Sequence, residues 1–180
     1  MRSEEFRIRS RFGRKKVVAI LSAFYLMVIP VYLYFGFQTS QVNVSAYARE
    51  LSEATGVLEI PSISLAAPIS DVELDGRKLV APNYIVGRYE AYKNKVFIIG
   101  HSSTIFQDLN RVAVGDEIIY DSKKFKIVSK EVKAKAEISM NEILRDEKEP
   151  TLVLMTCSGE HISGQDYSHR LIVNAVMRGE

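Results

Sequence analysis

One cysteine, Cys157, occurs among the 180 residues, with three histidines, His101, His161 and His169. Arg170 lies 13 positions after the cysteine and His101 lies 56 positions before it. These residue types suit nucleophilic chemistry at a carbonyl. A thiol with a pKa of about 8.5 is mostly protonated at neutral pH and needs a base. An imidazole can take that proton and later return it to a leaving amine. The tetrahedral intermediate carries a negative oxygen, for which a permanently charged guanidinium is a suitable partner. A single cysteine forms no intramolecular disulfide, so in an exported chain it is a reactive thiol or an intermolecular bridge. Ordinary readings stand beside these: a buried cysteine acting as a small hydrophobe, a turn histidine, a solvated edge arginine. By spacing alone His161 and His169 compete with His101 as the thiol's partner.

The three groups must be positioned by strands. His101 follows the apolar run Val96–Gly100, Cys157 ends Thr151–Cys157, and Arg170 begins the last run, which continues from Leu171 to Met177. If the last two runs pair as an antiparallel hairpin, Cys157 and Arg170 share one edge of the sheet. Ser158 to Ser168 is then expected as a long connecting loop, able to form one wall of a substrate groove. Further strands are expected at Leu58–Leu65, where Pro61 suits an edge or a bend, and at Lys78–Ala81 and Lys95–Ile99. Glu117–Tyr120 and Phe125–Val132 should form a hairpin around Asp121-Ser122-Lys123. Val114-Gly115-Asp116 reads as a turn. Phe106 with Leu109, and Met140–Leu144, read as single helical turns. Many short strands with evenly spaced turn signals predict a mainly β fold, a closed or nearly closed barrel or a sandwich.

Charge divides the chain. Residues 1–16 carry Arg2, Arg7, Arg9, Arg11, Arg14, Lys15 and Lys16 against Glu4 and Glu5, although the whole chain is only +2. The basic excess therefore belongs to this tail, and the remainder is mildly acidic. Without a basic stripe, a nucleic-acid surface is not expected. Val17 to Phe37 holds 21 residues without a charge. As a helix it would span roughly 30 Å, the thickness of a bilayer core. The basic tail before it predicts a single-pass anchor in the cell membrane, with residues 1–16 cytoplasmic and residues 38–180 extracellular. A buried core helix is a weaker reading. A cleaved signal peptide is another, but its apolar region is usually about 7–15 residues, and the Ala46-Tyr47-Ala48 site lies far past the run. Residues 38–56 read as a stalk, helical in part from Val44 to Ala54 with Tyr47, Leu51 and Ala54 on one side. Residues 57–180 read as the catalytic domain. Asn43-Val44-Ser45 matches a glycosylation acceptor, a weak three-residue pattern.

Several motifs in order resemble the sortase family. Leu58-Glu59-Ile60-Pro61-Ser62-Ile63 is similar to its opening L-x-I-P-x-I. Phe97-Ile98-Ile99-Gly100-His101 resembles the strand and Gly-His that carry its histidine. Phe106, Leu109 and Val114-Gly115-Asp116-Glu117-Ile118 resemble the helix and G-D-x-I turn that follow. Thr151–Cys157 resembles the T-L-x-T-C strand, and His169-Arg170-Leu171-Ile172-Val173 resembles the R-L-I-V start of the last strand. The resemblance covers roughly residues 57–178. It implies a closed eight-stranded β-barrel with short helices. It implies cleavage of an LPXTG-type sorting motif on exported proteins through a thioester on Cys157. The acyl group would pass to an amine of a cell-wall precursor or a pilin lysine. His101 becomes the general acid/base, and Arg170 the oxyanion or substrate-orienting residue. Thr156, Ile99, Ile138 and Ile143 become substrate-binding candidates, the last two within Ala136–Pro150, which should help form the groove. No cofactor and no metal are carried over.

The resemblance departs from single classes at Ser102-Ser103 after the histidine and at Ser158-Gly159 after the cysteine. Other cysteine enzymes of the cell envelope fit less well. An L,D-transpeptidase-like enzyme has arginine two positions after its cysteine, and papain-like or NlpC-type hydrolases place cysteine before histidine. A membrane-tethered barrel that only binds is the non-enzymatic alternative.

Overall fold

The computed structural model describes residues 25–26, 28–31, 44–75, 78–163 and 166–177. The chain divides into two compact units, Met1–Ala46 and Tyr47–Glu180. In the first, residues 25–26 and 28–31 are helical, with Tyr25, Leu26 and Val31 exposed. The basic tail 1–16, most of the apolar run Val17–Phe37 and Asn43 lie outside the described residues. Among the described residues no helix is long and apolar enough to cross a membrane.

Residues 44–52 are helical, close to the expected stalk helix. Within the second unit Tyr47 meets Tyr84 edge-on at 6.0 Å. Glu50 accepts the backbone N–H groups of Asn83 and Tyr84 at 2.9 and 2.8 Å.

Ten strands follow: β1 (Gly56–Ile60), β2 (Leu65–Asp71), β3 (Leu74–Asp75), β4 (Lys78–Leu79), β5 (Val86–Tyr92), β6 (Lys95–Ile99), β7 (Glu117–Tyr120), β8 (Lys123–Ala134), β9 (Thr151–Ser163) and β10 (Asp166–Met177). Eight of them close into a barrel in the order β1-β2-β5-β6-β9-β10-β8-β7, with β7 returning to β1; β3 and β4 pair separately. Two neighbour pairs are parallel, β2 with β5 and β6 with β9. Closure removes the open edges that a half-buried sheet would otherwise present.

Alternation explains the barrel. Leu58 and Ile60, Ile118 and Tyr120, Phe125 and Ile127, Leu152 and Leu154, and Leu171, Val173 and Ala175 fill one core, into which Phe106 and Leu109 also pack. Strands β6, β9 and β10 are apolar on their other face too. There Phe97, Ile99, Val153 and Ile172 form a second cluster, overlaid by Ile138, Met140, Ile143 and Leu144. A strand buried on both faces reads as a continuous apolar run, which is why these three stand out in the sequence.

The turns follow their residues. Asp121 and Ser122 both have positive φ, 50° and 60°, in the β7–β8 turn. Two such residues give the twist that suits a two-residue hairpin. Three sequence expectations need correction. Leu58–Leu65 is not one strand: Pro61 opens a 3₁₀ turn, Ser64 adopts a left-handed φ of 54°, and a second strand starts at Leu65. Proline lacks the N–H that a continuous ladder requires. Strands β2 and β5 carry no clear apolar period and were not expected. In β5, Arg88 projects to Asp71 Oδ1 (2.6 Å) and to the Tyr120 hydroxyl (3.1 Å). Finally, residues 158–163 and 166–168 of the expected loop are strand: β9 and β10 continue past the cysteine and arginine as paired strands.

Candidate active site

Strand pairing assembles the site. In the parallel β6–β9 register Ile99 faces Met155, and the Gly100 N–H reaches the Met155 carbonyl at 3.4 Å. Thr156 donates its hydroxyl to the Gly100 carbonyl at 2.7 Å. These bonds hold Gly100 just past the end of β6, and His101 follows it. Cys157 follows Thr156 on β9 and stands directly across from Arg170 on β10. Cysteine and arginine are therefore cross-strand neighbours, with the histidine at the end of the adjoining parallel strand. The expected antiparallel pairing of the last two strands is observed. Cys157 and His101 are half-buried, and the Arg170 side chain is 15% exposed.

Local structure holds His101. Its carbonyl accepts the N–H groups of Thr104 and Phe106 at 3.3 and 3.0 Å, which turns the chain sharply after the strand. Gly100 makes that turn possible: a Cβ there would meet Phe106 Cδ2 at 2.7 Å and Ile105 Cγ2 at 2.8 Å. Gly100→Ala is accordingly expected to push Phe106 out of the core and displace His101. The overpacking cost is about 1–3 kcal/mol. A lowered melting temperature and slower alkylation of Cys157 check it; an unchanged melt would show that the turn has slack.

The two competing histidines are engaged elsewhere. His161 meets the Tyr167 ring edge-on at 5.3 Å, out on the hairpin. His169 Nδ1 is hydrogen-bonded to Ser168 Oγ at 2.7 Å. His169 also pairs with Ser158, one step from the Cys157–Arg170 pair. Successive strand residues face opposite sides, so His169 lies on the other face from Arg170.

The hairpin beyond the site is held by polar contacts, which explains why apolar periodicity does not reveal it. The Glu160 N–H donates to Ser168 Oγ at 2.9 Å. Gly159 has φ of +79°, and a Cβ on it would meet His169 Nδ1 and Ser168 Oγ at 2.6 Å. Only glycine fits that close approach. Register irregularities on either side of Tyr167 absorb the mismatch.

Sequence reasoning missed Asp166. Its Oδ1 lies 3.3 Å from Arg170 Nη2, and both its oxygens accept from Lys135 Nζ at 2.9 and 2.8 Å. The Lys135 hydrogen bond foremost, then that of Arg170, holds the carboxyl below the usual aspartate range. Asp166 therefore stays ionised through neutral and mildly acidic pH. Its spacing of four before Arg170 is the one local signal; Lys135 is too distant in sequence to show any.

The substrate-binding candidates separate. Ile99, Ile138 and Ile143 meet in the second apolar cluster, with Ile99 buried at its base. Thr156 is buried, and its hydroxyl ties β9 to β6. A recess of about 170 Å³ is lined by Ile138, Ile143 and Ile172 with Lys95, Glu131 and Glu142. Cys157, His101 and Arg170 do not line it. Among the described residues no group of three His, Cys, Asp or Glu side chains is placed to hold a metal.

A family model described as Sortase domain matches residues 58–178. Sortase D of Bacillus subtilis (strain 168) is 25% identical over 120 residues, which cover 64% of this chain and 60% of that protein. The match therefore spans less than two thirds of that relative's length. Among solved structures, Streptococcus agalactiae sortase C1 has a TM-score of 0.56 at 22% identity, covering 74% of this chain and 73% of that one. Actinomyces oris sortase C-1 has a TM-score of 0.56 at 22% identity, covering 78% and 80%. Listeria monocytogenes sortase A has a TM-score of 0.55 at 12% identity, covering 71% and 88%. At such identities these structures establish the barrel fold alone, and they include both A and C types.

Proposed function

This chain belongs to the sortase family, and on that premise we propose that it is a membrane-anchored cysteine transpeptidase acting on exported proteins that carry a sorting motif of the LPXTG type. The observation that carries the reading is the cross-strand pairing of Cys157 with Arg170 beside the end of β6, where His101 stands. His101 takes the Cys157 proton, and the thiolate forms a C–S bond to the motif's carbonyl carbon. Arg170 meets the negative oxygen of the tetrahedral intermediate. The peptide C–N bond then breaks, and protonated His101 returns its proton to the departing amine. An acceptor amine, from a cell-wall precursor or a pilin lysine, loses a proton to His101 as it attacks the thioester. A new C–N bond forms and the Cys157 thiolate leaves.

The apolar cluster above β6, β9 and β10, with Ile138 and Ile143 over Ile99, supports a groove for the motif's apolar residues. The N-terminal pattern supports anchoring: seven basic residues, then Val17–Phe37 without a charge. Residues 1–16 are then cytoplasmic and residues 38–180 face the cell exterior.

A peptide-library cleavage screen, with mass spectrometry of the acyl adduct on Cys157, tests the reaction and identifies the motif. A second expected result concerns the base. A methanethiosulfonate reagent should form a mixed disulfide with native Cys157, releasing methanesulfinate, faster in the wild-type chain than in His101→Ala. Reaction only after denaturation would defeat the catalytic reading.

A further inference from the structure

Arg170 is tied at one end of its guanidinium. Nη1 donates to the carbonyls of Tyr167 and His169, both at 2.9 Å, and Nη2 donates to Asp166 Oδ1 at 3.3 Å. A guanidinium carries five N–H donors. Three are engaged among the described residues; the Nε–H and one Nη2–H remain, enough to grip a reacting carbonyl oxygen. Asp166 is itself fixed. Lys135 reaches both its oxygens, and Oδ1 also accepts the Tyr167 N–H at 3.0 Å.

Lys135 opens the 3₁₀ turn Lys135–Glu137, which leads into Ile138 and the helical turn Met140–Ile143. That segment is the cover of the second apolar cluster. We propose that Asp166 is a positioning residue for Arg170, and that Lys135 joins it to the segment over the groove, so that one chain of ion pairs sets both the substrate cover and the oxygen-binding donor. This rests on the proposed role of Arg170 at the reacting carbonyl.

Magnitudes place the effect in rate and not in stability. The Lys135 and Asp166 side chains are 53% and 39% exposed. Ion pairs this open to water add little to folding stability. A catalytic group displaced by about 1 Å can cost on the order of a hundredfold in rate.

The test uses the whole 180-residue chain in detergent with a peptide from the cleavage screen. Asp166→Asn keeps the shape and removes the charge. It should lower kcat about ten- to a hundredfold, leave KM and the melting temperature nearly unchanged, and leave Cys157 alkylation at the wild-type rate. Asp166→Glu should recover part of the loss, and Lys135→Met should lower kcat by a smaller factor. Wild-type kcat in Asp166→Asn overturns the proposal. So does a faster enzyme, which would mean that Asp166 holds Arg170 back from substrate. A loss of rate matched by a lower melting temperature and not recovered by Asp166→Glu overturns it too, as a purely structural role. If the wild-type chain cleaves no peptide, the proposed function fails instead. The link is then read from the Nε–H NMR signal of Arg170, which should move in Asp166→Asn and in Lys135→Met; an unmoved signal overturns it.

Discussion

Cys157→Ala is expected to abolish peptide cleavage, by at least about ten-thousandfold, while the protein stays folded. The size follows from the thiol's role. Without Sγ no covalent bond to the acyl group forms, and what remains is binding plus Arg170, the kind of residue that supports only a small remnant of catalysis in nucleophile-deleted enzymes. No neighbour can substitute. Ser158 is adjacent, but it faces His169, on the other side of the strand from the Cys157–Arg170 pair. Stability should change little. Cys157 is half-buried near the end of β9's barrel portion, its backbone pairing with Arg170 is unaffected, and the lost sulfur costs about 1 kcal/mol or less. Cleavage assayed by chromatography, with a thermal melt of the same sample, checks both halves. Since Cys157 is the sole cysteine, the mutant must also lose all thiol labelling and all acyl adduct. Retained turnover would transfer the chemistry to another group and end the thioester reading.

How much of this was legible in the sequence depends on what holds each element. Strands β6, β9 and β10 were legible because Phe97, Ile99, Val153 and Ile172 bury one face while Ile98, Leu154 and Val173 bury the other. The Cys157–Arg170 meeting was legible for the same reason, since two apolar runs close in sequence pair as a hairpin. The position of His101 was not. It depends on the parallel pairing of β6 with β9, whose connection runs from residue 100 to residue 150 and shows no local sign of its register. Only the Gly100-His101 resemblance pointed to it. Strand β2 carries Ala66, Ala67 and Pro68, and β5 carries Gly87, Arg88 and Glu90, so neither shows a clear apolar alternation. The outer hairpin failed to announce itself for a related reason: residues 158–163 and 166–168 are held by backbone pairing, a glycine contact and hydroxyl bonds. The link from Lys135 to Asp166 joins residues 31 apart on separate elements, and charge patterning along one element cannot reveal such a pair.

Arg170→Lys should cost about a hundred- to a thousandfold in kcat, although the charge is retained. Geometry decides this. The arginine satisfies two backbone carbonyls and one carboxylate with three of its donors and still keeps an Nε–H and an Nη2–H. A lysine ammonium has three donors on one atom. It cannot reach the Tyr167 and His169 carbonyls, Asp166 and a substrate oxygen from a single point, so it either leaves the hairpin's acceptors or leaves the substrate. The melting temperature should fall only slightly, because Lys135 still neutralises Asp166 and the lost pair is partly open to water. Steady-state kinetics separate the two roles open to the arginine. A donor to the developing oxyanion acts in the transition state alone, so kcat and kcat/KM fall together with KM unchanged. A donor that only orients substrate acts in the ground state as well, so KM rises while kcat holds. Two donors left uncommitted on the cross-strand neighbour of Cys157 favour the first outcome; near-normal turnover in Arg170→Lys would remove the arginine from the reacting carbonyl, and with it the reason for the Asp166 link.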